Sequence, residues 1–116
     1  MRVGHGQIWS VELSPTVANE QRGVRPCVVV SVDRFNALPI QHAIVVPLTT
    51  RERGFPHHIR VTDDGGLNRD SWAMCEAVRA VSAERFGRLI GTASDLTMTA
   101  IGAQLMLWLD RGARRA

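Results

Sequence analysis

Every positive side chain in this 116-residue sequence is an arginine; lysine is absent, and so is tyrosine. Fourteen arginines against 11 acidic residues leave a net charge of +3 and an isoelectric point of ≈ 10.1. Guanidinium is planar and stays charged, so an all-arginine set favours bidentate contacts with phosphate or carboxylate. That suits a nucleic-acid or acidic-protein partner, although a high-GC codon bias would enrich arginine equally well. No apolar run approaches the ~18 residues of a membrane-spanning helix. The opening "MRVGHGQIWSVELSP" lacks the apolar segment of a secretory signal, so a cytoplasmic location is expected. Only two cysteines occur, Cys27 and Cys75. Each lies in an apolar run with no ligand cluster around it, which points to buried free thiols. No metal and no cofactor is expected. The signatures G-x-S-x-G, the P-loop and H-E-x-x-H are all missing, as are internal repeats and low-complexity segments.

What is present is ordinary for a globular chain. Apolar residues make up 45% and charged residues 22%. The length suits one domain, 1–116, with a core of its own. Residues 7–13 alternate apolar and polar, as a half-buried strand does. A long loop with Pro15, Asn19 and Gly23 follows. Residues 26–32 form a continuous β-branched run suited to a central strand, with Pro26 tolerated at its first position. Residues 42–48 form another strand, and Pro47 marks its end or a bulge. Residues 33–41 read as a turn or short irregular connection. Residues 57–61 read as a short strand, and 71–77 with 78–81 as two short strands or one bent one. Ser82 caps a helical turn in "SAERF". Residues 94–112 read as a helix with Ser94 as N-cap, Asp95 favourable to its dipole, and Met98, Ile101, Leu105 and Trp108 as its apolar stripe. Gly102 inside that helix suggests close approach to the sheet or to a second subunit. The expected architecture is mainly β with a C-terminal helix: a small curved sheet or partly open barrel with the helix packed on it.

Two residues stand out for chemistry. Arg25 opens one apolar strand, and Thr49 ends the next. If these strands pair antiparallel, a guanidinium and a hydroxyl share one edge of the sheet. Arginine can hold a phosphate and stabilise the charge it gains on becoming five-coordinate. Threonine can donate to a non-bridging oxygen or orient a 2′-hydroxyl. Strand-end arginine and threonine are also common as structure, and Arg25 could simply pair with Glu12 or Glu20. Of the histidines, His57 and His58 are adjacent. On a strand they would point to opposite faces and could not share one substrate.

A resemblance then bears on these residues. "QIWSVELSPTVANEQRGVRPCVVVSVDRFN" closely resembles the opening of MazF/PemK-type toxins, whose pattern runs D/E-L-x-P, then S/N-E-Q-x-G-x-R-P-x-V-V-V. "VVPLTT" is similar to their strand ending Pro-Ile/Leu-Thr-Ser/Thr. "RDSWAMCEAVRAVSAERFGRLIG" is similar to their third block. The resemblance implies an SH3-like small barrel acting as a homodimer. It implies a toxin of a type II toxin–antitoxin system that cuts single-stranded RNA without a metal and is blocked by an acidic antitoxin. The family's catalytic arginine falls on Arg25, its catalytic threonine on Thr49, and its loop acid on Glu20, with Gln21 beside it. Cys27, Trp72 and Phe86 depart from the family's usual residues and look like packing changes.

On this reading the 2′-hydroxyl attacks the adjacent phosphate, leaving a 2′,3′-cyclic phosphate and a 5′-hydroxyl. Arg22, Arg51 and Arg53 form a rim that could follow the RNA backbone, or a solvated loop surface. Trp9 and Phe55 are candidate stacking platforms, or core residues. The alternatives from other classes are a CcdB-like gyrase poison and a non-catalytic small-barrel interaction module.

Overall fold

The two apolar runs expected to be strands lie side by side in one antiparallel sheet. The computed structural model describes residues 2–14, 23–63 and 66–112. Its strands are β1 (Gln7–Glu12), β2 (Val24–Val29), β3 (His42–Thr49), β4 (His58–Arg60), β5 (Trp72–Met74), β6 (Arg79–Ser82) and β7 (Phe86–Thr92). A single helical turn, α1 (Asp33–Asn36), precedes β3, and the long helix α2 (Asp95–Leu109) follows β7. The order across the sheet is β4-β5-β3-β2-β1-β7, with β6 also paired to β3. A bridge between Asp63 and Ala93 draws the two outer ends of the sheet together. The Ser94 amide reinforces it, donating to the Thr62 carbonyl at 2.7 Å. The result is a small curled barrel with α2 packed against it.

Side chains along β2 and β3 alternate between two clusters. Val28, Val46 and Leu48 pack with Ile8 and with Ile101 and Leu105 of α2. Cys27, Val29, Ala43 and Val45 pack with Val11, Leu13 and Val81, bordered by Trp9 and Phe86. Both faces are covered, which is why these strands read as unbroken apolar runs. β3 changes partners along its length. His42 to Val45 pair with β6, whereas Leu48 and Thr49 pair with β5. Pro47 falls between those two ladders, where a missing N–H is tolerated.

Several expectations are corrected. β2 runs from Val24 to Val29 rather than over 26–32, so Pro26 is its third residue. The ladder to β3 begins only at Cys27 opposite Pro47, leaving Pro26 paired to β1 alone. Residues 33–41 contain a helical turn, and its buried Asn36 donates to the Ser31 carbonyl at 3.2 Å. β7 was not foreseen, because Gly87, Arg88 and Gly91 interrupt its pattern. Gly87 is required by contact: a Cβ there would sit 2.7 Å from Ser10 Oγ, which accepts the Arg88 amide at 2.8 Å. Ser82 precedes the turn Ala83–Arg85 without a side-chain capping bond.

The C-terminal helix begins as expected, with Ser94 Oγ accepting the Thr97 amide at 3.1 Å. Ile101 and Leu105 are buried, but Trp108 at the end of the stripe is 49% exposed. A Cβ at Gly102 would meet nothing within 4 Å among the described residues. Among the described residues, no helix is long and apolar enough to cross a membrane.

Candidate active site

β2 and β3 pair antiparallel with Cys27 opposite Pro47, Val28 opposite Val46 and Val29 opposite Val45. Continuing that register by two residues sets Arg25 opposite Thr49. Directly opposed residues project from the same face of a sheet. Both side chains border one open cavity of ≈ 310 Å³, together with Thr50, Arg51, Arg53 and Met74. Its described lining therefore holds three guanidiniums and two hydroxyls, with no carboxylate. Among the described residues Arg25 makes no ion pair. Glu12, one structural partner considered for it, instead accepts the Ser14 amide at 2.8 Å.

The Thr49 hydroxyl accepts the Arg51 backbone N–H at 3.1 Å. A hydroxyl has one proton and two lone pairs, so this bond leaves its O–H available to donate into the cavity. It also fixes the first residue of the arginine-bearing loop. Behind Arg25, Cys27 is fully buried. Burial pushes its thiol up to about 12, against the opposing pull of Arg79 and then Arg25. Such a thiol is neutral at working pH and has no nucleophilic part in the site. Burial likewise raises Cys75 to about 11.

Two further arginines, which motif reading had not singled out as site residues, hold the end of β1. Arg79 donates to the Leu13 carbonyl at 3.2 Å, and Arg85 donates to the carbonyls of Glu12 and Ser14. Across the same gap, the Gly23 amide donates to Ser14 Oγ at 3.0 Å and the Leu13 amide to the Gly23 carbonyl at 2.9 Å. The ends of the 15–22 segment are thus fastened together beside Arg25. Glu20, Gln21 and Arg22 lie outside the described residues.

The remaining candidates are more dispersed. Trp9 donates from Nε1 to Gln7 at 3.0 Å and packs edge-on to Phe86, ring centres 6.0 Å apart. It borders the second core cluster and does not line the cavity. Phe86 is thus a packing partner, as is Trp72, whose ring lies 5.9 Å below the Arg60 guanidinium. Phe55 is 45% exposed on the loop after Arg53 and stacks on His57 at 5.3 Å. The expectation that His57 and His58 point apart fails. β4 starts at His58, so His57 lies in the preceding turn, closed by the His58 amide donating to the Phe55 carbonyl at 3.0 Å. The alternation rule does not cross that turn, and both imidazoles reach Glu76. Neither lines the Arg25–Thr49 cavity.

Fold and cavity together define a class: a small curled β-barrel with one long helix and a cavity whose described lining is arginine, threonine and methionine. A family model described as the PemK-like, MazF-like toxin of type II toxin–antitoxin system matches residues 5–109. Endoribonuclease MazF9 of Mycobacterium tuberculosis is 34% identical over 111 residues, covering 90% of this chain and 94% of that protein. Endoribonuclease EndoA of Bacillus subtilis is 30% identical over 113 residues, covering 94% and 96%. The chain belongs to this PemK-like, MazF-like toxin family. The crystal structure of MazF from Deinococcus radiodurans shares the fold, with a TM-score of 0.82 at 19% identity over 92% of this chain and 96% of that one. So does an endoribonuclease from a mycobacterial species in complex with its cognate antitoxin, with a TM-score of 0.77 at 20% identity over 94% and 96%.

Proposed function

We propose that this chain, an endoribonuclease toxin, cuts single-stranded RNA at the Arg25–Thr49 cavity. The observation that carries the reading is the register that faces a guanidinium with a hydroxyl beside two more arginines, without a carboxylate among the described lining residues. The 2′-oxygen of the nucleotide before the cut attacks the adjacent phosphorus, and the bond to the 5′-oxygen of the next nucleotide breaks. Arg25 stabilises the added negative charge of the phosphorane through its paired N–H donors. It is not the base, because a guanidinium does not deprotonate at working pH. Thr49 donates its free O–H to a non-bridging oxygen. Glu20, on the segment whose ends are fastened beside Arg25, is the candidate proton acceptor. Gln21 and Arg22 on the same segment contact the RNA. Arg51 and Arg53 follow the backbone, and exposed Phe55 offers a stacking face. Trp9, committed to packing and to Gln7, contributes by holding the β1 wall.

The whole chain acts as one toxin domain in the cytoplasm. A cavity rich in guanidinium suits an acidic antitoxin segment as well as RNA. Leu96, Trp108 and Leu109, exposed on α2, suit burial in a homodimer. MazF- and PemK-type relatives favour RNA cleavage over the gyrase-binding alternative. The test is incubation of the purified chain with a long single-stranded RNA in EDTA, followed by end-group analysis. Discrete cuts bearing 5′-hydroxyl and 2′,3′-cyclic phosphate ends are expected. Ends bearing a 3′-hydroxyl, or cleavage only with Mg²⁺, would rule the scheme out.

A further inference from the structure

Beyond the loop that carries Arg51 and Arg53 in sequence, three metal-ligating side chains converge. His57, His58 and Glu76 each present one donor atom, and the three atoms lie within 4.8 Å of one another. His58 Nε2 stands 3.0 Å from Glu76 Oε2, and His57 Nε2 stands 3.4 Å from Glu76 Oε1. Tetrahedral zinc with ligand bonds near 2.0–2.2 Å separates adjacent donors by roughly 3.4 Å. The nitrogen–oxygen spacings are therefore already close to those of a coordinated ion. We propose that His57, His58 and Glu76 bind a zinc-class divalent cation at a site distinct from the Arg25–Thr49 cavity.

The surroundings support ligation. β4 pairs with β5, placing His58 opposite Met74 and so beside the turn Cys75–Ala77 that carries Glu76. The imidazoles are held by packing: Phe55 stacks on His57 within 7° of parallel, and the Trp108 ring centre lies 5.6 Å from that of His57. His58 is almost wholly buried, with a side chain 3% exposed, while His57 and Glu76 remain 31% and 47% exposed. The site thus has a fixed floor and an open side for entry and a fourth ligand. Two imidazoles and a carboxylate suit zinc over magnesium or calcium, which prefer all-oxygen shells. His58 Nδ1 is buried with no hydrogen-bond partner among the described residues. A ligating histidine normally donates its other N–H to an outer acceptor, whose loss typically costs about 10–100-fold in affinity. The site is accordingly expected to bind more weakly than a fully supported structural zinc site.

Occupancy would tie the end of the 50–57 loop to the barrel, and that loop begins at Thr49. The cation touches none of the residues assigned to the reaction, so cleavage in EDTA is compatible with it. The test is binding to the full chain, free of any affinity tag, followed by titration with Co²⁺ and competition with Zn²⁺. One equivalent per chain with the visible absorption of low-coordinate cobalt is expected, displaced by Zn²⁺. Glu76→Gln alters an exposed carboxylate, His57→Gln a half-buried ring whose effect on the fold a thermal melt reads separately, and each should weaken binding at least about tenfold. His5→Gln and His42→Gln should leave it unchanged. Absence of cobalt binding in the parent, or binding unaltered by both His57→Gln and Glu76→Gln, overturns the proposal. Neither result bears on Arg25 or Thr49.

Discussion

Replacing Arg25 by alanine separates a reactive role from a structural one. The side chain is half-buried at the next-to-last residue pair of the β1–β2 ladder, opposite Val11. Its ladder position depends on the backbone, and its guanidinium makes no ion pair among the described residues. What alanine removes from the folded state is part of an aliphatic stem, about 1 kcal/mol of burial. The reaction should respond differently. Removing one donor aimed at developing charge costs roughly 10²–10³ in kcat, about 2.7–4 kcal/mol. Arg51 and Arg53 remain to bind RNA, so kcat should fall while KM moves little. Arg25→Lys keeps the charge but loses the paired donors, and should lie between. Single-turnover cleavage of a fluorescent oligoribonucleotide reads the rate, and a thermal melt of the same preparation reads the fold. An alanine variant that melts with the parent and cleaves within about tenfold of its rate would remove Arg25 from the phosphorane.

Thr49→Val preserves shape while deleting both the donor into the cavity and the acceptor of the Arg51 amide. Cleavage should drop and stability fall by about 0.5–1.5 kcal/mol, whereas Thr49→Ser should retain both; an undiminished rate in the valine variant contradicts the assignment. The two cysteines give a test in alkali. Their folded values of about 12 and about 11 stand above the ordinary 9.0. Below pH 9 they are protonated folded or unfolded and contribute nothing. Above it the unfolded chain ionises first, so stability should fall as pH rises from 9 toward 11. With no lysine or tyrosine in the sequence, no other side-chain type with an ordinary pKa in that range competes. A urea melt series should show the fall flattened in the Cys27→Ala/Cys75→Ala double variant, and an equally steep fall there refutes the burial argument.

The sequence was most readable where one local rule governs. β3 showed its apolar run and α2 its serine cap, because each depends on neighbours within a few residues; the alternation expected of β1 is broken instead, with Ile8 and Val11 both buried across register shifts on either side of Trp9. That Arg25 and Thr49 border one cavity was legible because antiparallel strands put a start beside an end. β7 was hidden because its glycine answers a contact with Ser10, far away in sequence. Glu76 was invisible as a partner of His57 and His58 for the same reason: the β4–β5 register that unites them spans a long connection. His57 was misjudged because one turn residue was counted as strand. Arg79 and Arg85 sit in a segment that resembles the family's third block, yet their carbonyl partners can be found only in the fold.

Those two arginines carry a consequence for how such toxins diversify. They grip the backbone of Glu12, Leu13 and Ser14, not side chains, while Ser14 and Gly23 close the gap from the other side. Backbone carbonyls are supplied by any residue, so most of this fastening is indifferent to what lies between. A change of chain length between Ser14 and Gly23 should therefore cost little in closure, since each doubling of a loop's length costs only about 0.6 kcal/mol. If that stretch meets the RNA as proposed, cutting preference and barrel stability can change separately, and transplanting it between relatives should move the cut site while leaving the melting temperature in place.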